Sequence, residues 1–199
     1  MGQDKSEQLG AIGEEVRNLE KSPLYKYREN HHYQAVIGEG DPYAEIMFIG
    51  EAPGKQEAKS GRPFVGAAGR VLDELLSHID LQRDDVYITN VVKDRPPENR
   101  DPHVDEIEIY TPFLIRQIEI IEPKVIATLG RFAMDFILDQ FEMPQKGEKI
   151  SKLHGQELQA QTPFGKVAVV PLYHPAVALY NRDQRATLEK DFEVLKGLV

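Results

Sequence analysis

The sequence predicts an α/β fold, a three-layer α/β/α sandwich with a central four-stranded, mainly parallel sheet. Two observations predict it. Short apolar runs alternate with stretches of helical apolar spacing, a pattern that favours a parallel sheet with helices on both faces. The chain of 199 residues, without an internal repeat or low-complexity tract, fits one domain spanning 1–199.

The helices are predicted where apolar residues recur three and four positions apart. The first spans 4–20 and ends before Pro23, and the polar segment 25–42 that follows has the composition of turns and loops. Four further helices are predicted: 67–78, 105–121, one containing Phe132, Phe136 and Ile137, and 183–198.

The strands are predicted at apolar runs bounded by turn residues, as in strands buried on both faces. They lie at 45–50, 86–92, 125–130 and 167–173. Long loops follow three of them, at 51–66, 93–103 and 174–182. Because ligands bind beyond the carboxyl ends of the strands in such folds, these loops are expected to form the functional site.

Composition excludes several classes of site. The absence of cysteine excludes disulfide scaffolds, thiolate metal sites and cysteine nucleophiles. No apolar run reaches the ~20 residues of a membrane span, and the polar, acidic N-terminus is unlike a signal peptide, so a cytoplasmic protein without membrane contact is expected. The formal net charge of -9 disfavours non-specific nucleic-acid binding but is compatible with a local basic face.

The first long loop contains two candidate features. It begins Gly50-Glu51-Ala52-Pro53-Gly54, a sequence that permits a sharp turn with outward-facing amides and places Glu51 at the strand tip. An ordinary turn with a solvated glutamate fits equally well. Phe64, further along, has a ring suited to stacking on a flat heterocycle; taken alone, it is better interpreted as a core anchor of the loop.

A polar residue lies near the carboxyl end of each of the other two strands that precede long loops. The amide of Asn90 offers a donor and an acceptor, which complement a pyrimidine edge with a carbonyl and a ring N–H; a backbone-satisfied buried asparagine is nearly as plausible. His174 is placed to donate a hydrogen bond to an oxygen that gains negative charge. Lone histidines are more often structural, so His174 gains weight only from its neighbours.

Together these features resemble the uracil-DNA glycosylase superfamily, and most closely its family 4. The similarity covers nearly the whole chain, and the ordered set is far more specific than any one motif. The motifs occur in this order: Ser22-Pro23-Leu24-Tyr25, Gly38-Glu39-Gly40, GEAPG, GRPFVGAAG, YITNVVK, RPPENRDP, PFLIRQI, ATLG and HPA.

The resemblance implies removal of uracil flipped out of DNA, with roles for individual residues. Glu51 lies in the water-activating motif and either orients water or stabilises positive charge on the sugar. Phe64 stacks on uracil, Asn90 reads its edge, and His174 holds O2 as the bond breaks. The aspartate that another branch of the superfamily uses beside the glutamate is Ala52 here, as is usual in family 4. The implied uracil-binding set is Gly50, Ala52, Phe64, Asn90 and His174.

The implied partner is uracil-containing DNA, single- or double-stranded, bound by a monomer. Basic and polar loop side chains are expected to meet phosphates, and two apolar ones to wedge into the base stack. The expected DNA-binding residues are Lys55, Ser60, Arg62, Lys93, Arg95, Arg100, Val177, Leu179 and Arg182. The cations among them are expected to gather on the strand-end face.

One departure from family 4 concerns its [4Fe-4S] cluster, which four cysteines hold. The corresponding positions here are Leu19, Ser22, Asp94 and Tyr110, so neither a cofactor nor a metal is expected. Packing of Leu19 and Tyr110, with a polar contact between Ser22 and Asp94, is expected to substitute for the cluster.

Three other functions compete with that of a glycosylase. A catalytically degenerate binder of uracil or damaged DNA fits the lost cysteines and the acidic charge, but not the intact site residues. A generic nucleotide hydrolase would need a phosphate-binding loop and a carboxylate cluster, which are missing. Covalent uracil binding uses a histidine within a basic insertion; this sequence lacks the insertion and has Asn99 near that position, with His103 four residues further on.

Overall fold

A six-stranded sheet forms the centre of this computed structural model, which describes residues 4–198 except the side chain of Arg182. The strands are β1 Glu39–Gly40, β2 Ile46–Gly50, β3 Tyr87–Asn90, β4 Val125–Leu129, β5 Leu158–Thr162 and β6 Gly165–Leu172. Their order in the sheet is β1-β3-β2-β4-β6-β5. The four inner strands β3, β2, β4 and β6 are parallel, and helices cover both faces, so the predicted fold class is confirmed.

The two edge strands enlarge the sheet beyond the four predicted strands. β1 is a two-residue antiparallel pairing with β3, and it lies within the glycine-rich turn of the predicted loop. β5 forms an antiparallel hairpin with β6. Its sequence alternates buried and exposed residues, so it lacks the continuous apolar run by which the inner strands were recognised.

The helices divide between the two faces of the sheet. They are α1 Lys5–Arg17, α2 Tyr25–Asn30, α3 Lys55–Ser60, α4 Ala67–His78, α5 Val104–Ile121, α6 Arg131–Gln140, α7 Ile150–Leu153 and α8 Arg182–Lys196. α4 and α8 pack on the face that carries Ile46 and Phe48, while α1, α5 and α6 pack on the face that carries Met47 and Ile49. No helix within residues 4–198 is long and apolar enough to cross a membrane.

The main helices match the predicted ones to within a few residues, but three short helices were missed. α2, α3 and α7 span six, six and four residues, too few to establish a 3.6-residue apolar period. α3 matters most for the site, because it lies within the loop predicted over 51–66.

The positions that correspond to the cluster cysteines lie together and are buried, with exposed fractions of 7% for Leu19, 4% for Ser22, 1% for Asp94 and 0% for Tyr110. The Tyr110 hydroxyl lies 2.7 Å from Ser22 Oγ and donates to Asp94 over 2.5 Å. The expected packing is present. The polar contact differs from the expected one, because the Tyr110 hydroxyl stands between Ser22 and Asp94.

Arg28 completes this network and was missed in the sequence. One of its terminal nitrogens donates to both carboxylate oxygens of Asp94 at 3.1 Å, and its guanidinium also donates to the carbonyls of Val16 and Arg17 at the end of α1. The network therefore joins the N-terminal segment to the loop after β3. It offers no thiolate and contains a buried guanidinium, so these residues do not fit an iron–sulfur cluster.

Candidate active site

A cavity of about 410 Å³ opens at the carboxyl edge of the sheet, within the ~300–1,000 Å³ typical of small-molecule sites. The structure brings together most of the residues predicted to form the site, because each follows a parallel strand. The lining residues are Glu51, Ala52, Gly54, Glu57, Phe64, Ala68, Asn90, Asn99, His174 and Ala176. Glu57 was missed, since the short helix that carries it was predicted as loop.

Gly50 lies behind the cavity wall rather than in it. Its partner in the parallel register is Asn90. A Cβ atom at Gly50 would lie 2.4 Å from Asn90 Oδ1 and 2.7 Å from Phe64 Cζ, closer than packed atoms approach. The absence of a side chain at Gly50 therefore allows the Asn90 amide and the Phe64 ring to meet beside the cavity.

The Phe64 ring has two environments. It is only 6% exposed and belongs to the core cluster beneath α4 and α8, and it also lines the cavity. Its ring centroid lies 5.7 Å from that of His174. The core interpretation and the stacking interpretation of Phe64 are thus compatible.

Asn90 is 2% exposed, and no hydrogen bond joins its side-chain amide to any residue in the described range 4–198. Its main-chain carbonyl, in contrast, accepts a hydrogen bond of 2.7 Å from Lys93 Nζ. Buried amides normally have partners. An unpartnered amide beside a cavity is therefore suited to a ligand with matching donors and acceptors.

Lys93 is fully buried, which makes its predicted contact with DNA wrong. Its amine donates to Thr89 Oγ1, the Asn90 carbonyl and Gln117 Oε1 at 2.6–2.7 Å, so all three ammonium donors are used inside the fold. Burial lowers the pKa of Lys93 well below 10.5. Lys93 thus supports the end of β3 from within.

His174 follows β6, and its hydrogen bonding assigns its tautomer. The Ala176 main-chain N–H donates to Nδ1 over 3.2 Å, which leaves the proton of a neutral imidazole on Nε2. Burial lowers the pKa of His174, and the negative charge of Glu57 opposes that shift without reversing it. The ring is thus a neutral donor on the cavity wall.

Glu51 lies half-buried on the cavity wall beyond β2. Burial raises the pKa of its carboxyl group, the charge of Asp101 raises it further, and Arg131 acts in the opposite direction. A carboxylate with a raised pKa is a better base than a solvated one. Position and basicity both suit Glu51 to act on a water molecule or on a developing positive charge.

Other predicted DNA contacts already have partners in the protein. Nε and one terminal nitrogen of Arg62 donate to the two carboxylate oxygens of Glu39, at 2.5 and 2.9 Å. Arg100 makes a similar pair with Glu106, at 2.6 and 2.8 Å. Because these carboxylates neutralise the guanidinium groups, the strand-end face is less basic than the sequence suggested.

Arg95 and Ser60 also make internal contacts. Arg95 donates to Asn99 Oδ1 over 2.7 Å and to the hydroxyls of Tyr27 and Tyr33, which joins the cavity-lining Asn99 to the N-terminal segment. Ser60 Oγ accepts from the Arg62 main-chain N–H. Lys55 is exposed at the start of α3, and the side chain of Arg182 lies outside the described part of the structure.

The loop after His174 presents apolar side chains. Val177 packs partly on the core, while Leu179 is 41% and Tyr180 90% exposed. All three follow the cavity-lining His174 on or just after a short 3₁₀ turn over Pro175–Leu179. This placement is compatible with the predicted wedge, which stays a prediction.

The fold and the cavity define an α/β protein with a candidate active site beyond the carboxyl ends of its strands. More specifically, the chain belongs to the uracil DNA glycosylase superfamily, whose family model matches residues 37–196. It is 49% identical to a type-4 uracil-DNA glycosylase of Sulfurisphaera tokodaii, over 96% of this chain and 84% of that protein. The type-4 enzymes of Archaeoglobus fulgidus and Thermotoga maritima are 45% and 40% identical, over 96% and 98% of this chain and 94% and 96% of theirs.

Proposed function

We propose that this protein is a monofunctional uracil-DNA glycosylase, which hydrolyses the N-glycosidic bond of a uracil flipped out of DNA and leaves an abasic site. Type-4 relatives across nearly the whole chain support it. The observation that carries it is the buried, unpartnered amide of Asn90 beside the Phe64 ring on the cavity wall.

Asn90 gives the site its selectivity in this proposal. Its amide nitrogen donates to uracil O4, and its amide oxygen accepts from uracil N3–H. Cytosine presents the opposite pattern on the same edge, with a donor at position 4 and an acceptor at N3. Binding of cytosine would leave the buried Asn90 amide unpaired, which disfavours that base. Phe64 stacks on the ring of either pyrimidine, so Asn90 must discriminate.

His174 and Glu51 act on the glycosidic bond. As the bond breaks, its electron pair moves into the uracil ring, and negative charge develops on O2. The Nε2–H of neutral His174 donates to that oxygen, and a preorganised donor of this kind typically contributes about 3–4 kcal/mol. Glu51 orients the water that adds to the sugar carbon, or stabilises the positive charge that builds there. The oxygen of the water forms the new bond to the sugar carbon as the bond to uracil breaks, and the proton that the water loses ends on the departing uracil anion.

The remaining residues contact DNA in this proposal. Lys55, Ser60, Arg62, Arg95 and Arg100 meet phosphates, and Val177 and Leu179 fill the space that the flipped base leaves. Arg182 is included on sequence grounds alone. Arg62 and Arg100 must exchange Glu39 and Glu106 for phosphate on binding, so these two contacts are expected to contribute little affinity. A monomeric state and a cytoplasmic location remain part of the proposal.

The proposal is tested with single- and double-stranded oligonucleotides that contain one uracil, at low and moderate salt. Incubation with the protein followed by alkali should cleave the strand at the uracil position. Tight binding without cleavage would instead support the degenerate binding protein. The absence of both binding and cleavage would contradict either function.

A further inference from the structure

Phe64 has a backbone conformation that an aromatic residue rarely adopts. Its φ is 50°, in the left-handed region that favours glycine. The neighbouring Gly69 accommodates this turn, because a Cβ atom there would lie 1.8 Å from the Phe64 carbonyl oxygen. Such a conformation persists only where the surrounding structure holds it in place.

Arg83 holds this turn through its carbonyl groups. Its two terminal nitrogens donate to the carbonyl of Pro63 over 2.6 Å and to that of Phe64 over 3.1 Å. Asp73 on α4 and Glu39 on β1 accept from the same guanidinium, at 2.9 and 3.3 Å. Arg83 is thus oriented by two carboxylates while it binds two consecutive carbonyls.

Glu57 holds the same turn through its amide groups. Its Oε1 atom accepts from the main-chain N–H of Val65 over 3.0 Å and from that of Gly66 over 2.9 Å. Gly66 immediately precedes α4, so the carboxylate also lies at the N-terminal end of a twelve-residue helix, where negative charge is favourable.

We propose that Glu57 and Arg83 are positioning residues that together preset Phe64 for stacking on uracil. Arg83 holds the two carbonyls at 63 and 64, and Glu57 holds the two amides at 65 and 66. A change of Phe64 to another backbone conformation would break the Arg83 contacts at 63 and 64 and the Glu57 contacts at 65 and 66. The ring is therefore held in the cavity before DNA arrives, and no binding energy is spent on ordering it.

The effect on uracil excision rests on the proposed function. The contacts of Glu57 and Arg83 with residues 63–66, here called the clamp, are testable without turnover. Amide hydrogen exchange of Val65 and Gly66 reports the Glu57 contacts directly. The affinity of the protein for free uracil reports whether the Phe64 ring is held in its stacking position.

Glu57→Ala removes the acceptor of the two amide hydrogen bonds, whereas Glu57→Gln keeps an oxygen at Oε1. Arg83→Lys keeps the charge but lacks the planar fork that reaches two carbonyls. Gln56→Ala, an exposed change on the same helix α3, is the matched control.

Glu57→Ala should speed exchange of both amides and weaken free-uracil binding by about ten-fold or more, because small misplacements of positioned groups have large effects. Arg83→Lys should weaken uracil binding similarly and lower kcat, with affinity for uracil-free DNA unchanged. Gln56→Ala should stay within about three-fold of the wild type, since it leaves the two amide contacts in place. Glu57→Gln, which keeps an acceptor oxygen but loses the charge, should bind uracil more tightly than Glu57→Ala does.

Unchanged amide exchange in Glu57→Ala would overturn the clamp, whatever the activity. Unchanged uracil affinity in Glu57→Ala and Arg83→Lys, both folded, would overturn its role in positioning Phe64. A wild-type protein that binds uracil but excises none would count against the proposed function alone.

Discussion

The hydroxyl of Tyr110 donates a 2.5 Å hydrogen bond to the carboxylate of Asp94, and each of these residues stands where family 4 is expected to have a cluster cysteine. Ser22 and Arg28 extend the contact into a buried network between the N-terminal segment and the loop after β3. Hydrogen bonds and one ion pair thus make the connection that the resemblance assigns to a metal cluster.

Asp94→Asn should therefore lower the free energy of unfolding by about 3–5 kcal/mol, because Arg28 would remain buried without its counter-charge. Tyr110→Phe removes two hydrogen bonds and should lower it by about 1–3 kcal/mol. Urea unfolding at neutral pH measures both values. The matched control is Glu15→Gln, which breaks the exposed pair with Arg116 and should change stability by about 0–1 kcal/mol. An Asp94→Asn effect as small as that of the control would contradict the structural role of the network.

Lys93→Met should show a pH-dependent loss of stability. Burial lowers the pKa of Lys93 in the folded state well below 10.5, so the folded protein binds this proton less tightly than the unfolded chain does. The contribution of Lys93 to the free energy of unfolding is full above pH 10.5 and declines as the pH falls through the folded pKa. The wild type should therefore exceed Lys93→Met most at about pH 9.5, with a smaller difference at about pH 7. Lys59→Met, at an exposed site on α3, should show no such change. A difference between the wild type and Lys93→Met that is constant or widens toward pH 7 would contradict a pKa of Lys93 lowered by burial.

The pH dependence of kcat/KM should reflect neutral His174. Burial lowers its pKa below the usual 6.5, and a protonated Nδ1 could no longer accept from Ala176. Activity should therefore be constant from about pH 8 to 6.5 and fall only at lower pH, where Glu51, with a pKa raised above 4.5, also becomes protonated. Single-turnover rates of Glu51→Gln isolate the His174 contribution. An acidic limb at or above pH 6.5 in that variant would contradict a neutral catalytic His174.

Gly50→Ala should slow uracil release strongly, because the new Cβ would collide with Asn90 Oδ1 and the Phe64 ring. We expect a loss of about 100-fold in kcat/KM, comparable to a misplacement of about 1 Å at a reacting group. Binding of uracil-free DNA should be unchanged, since Gly50 lies behind the cavity wall. Gly10→Ala on α1, where a Cβ meets nothing within 4 Å, is the control. A Gly50→Ala rate near the wild-type value would show that Asn90 and Phe64 can shift without loss of activity, which would contradict this prediction.

The sequence predicted which side chains lie together where position along a strand decides it. Glu51 and His174 follow β2 and β6, Asn90 is the last residue of β3, and parallel strands bring their carboxyl ends to one edge. The sequence did not predict the side chains whose orientation depends on a partner elsewhere in the fold. Lys93 turns inward because Thr89 and Gln117 accept hydrogen bonds from its amine, and Gln117 lies 24 residues away on α5. Glu57 was missed because its six-residue helix has no apolar period, and its partners are main-chain amides that no side-chain pattern indicates.

The most direct test of the central claim is the single-turnover release of free uracil from a single-stranded oligonucleotide, measured for the wild type, Asn90→Ala and His174→Ala. The wild type should release one free uracil per substrate, and each variant should be slower by about 100-fold or more, as when one transition-state donor is removed. A wild type that releases no uracil, or variants that release it at the wild-type rate, would contradict the account.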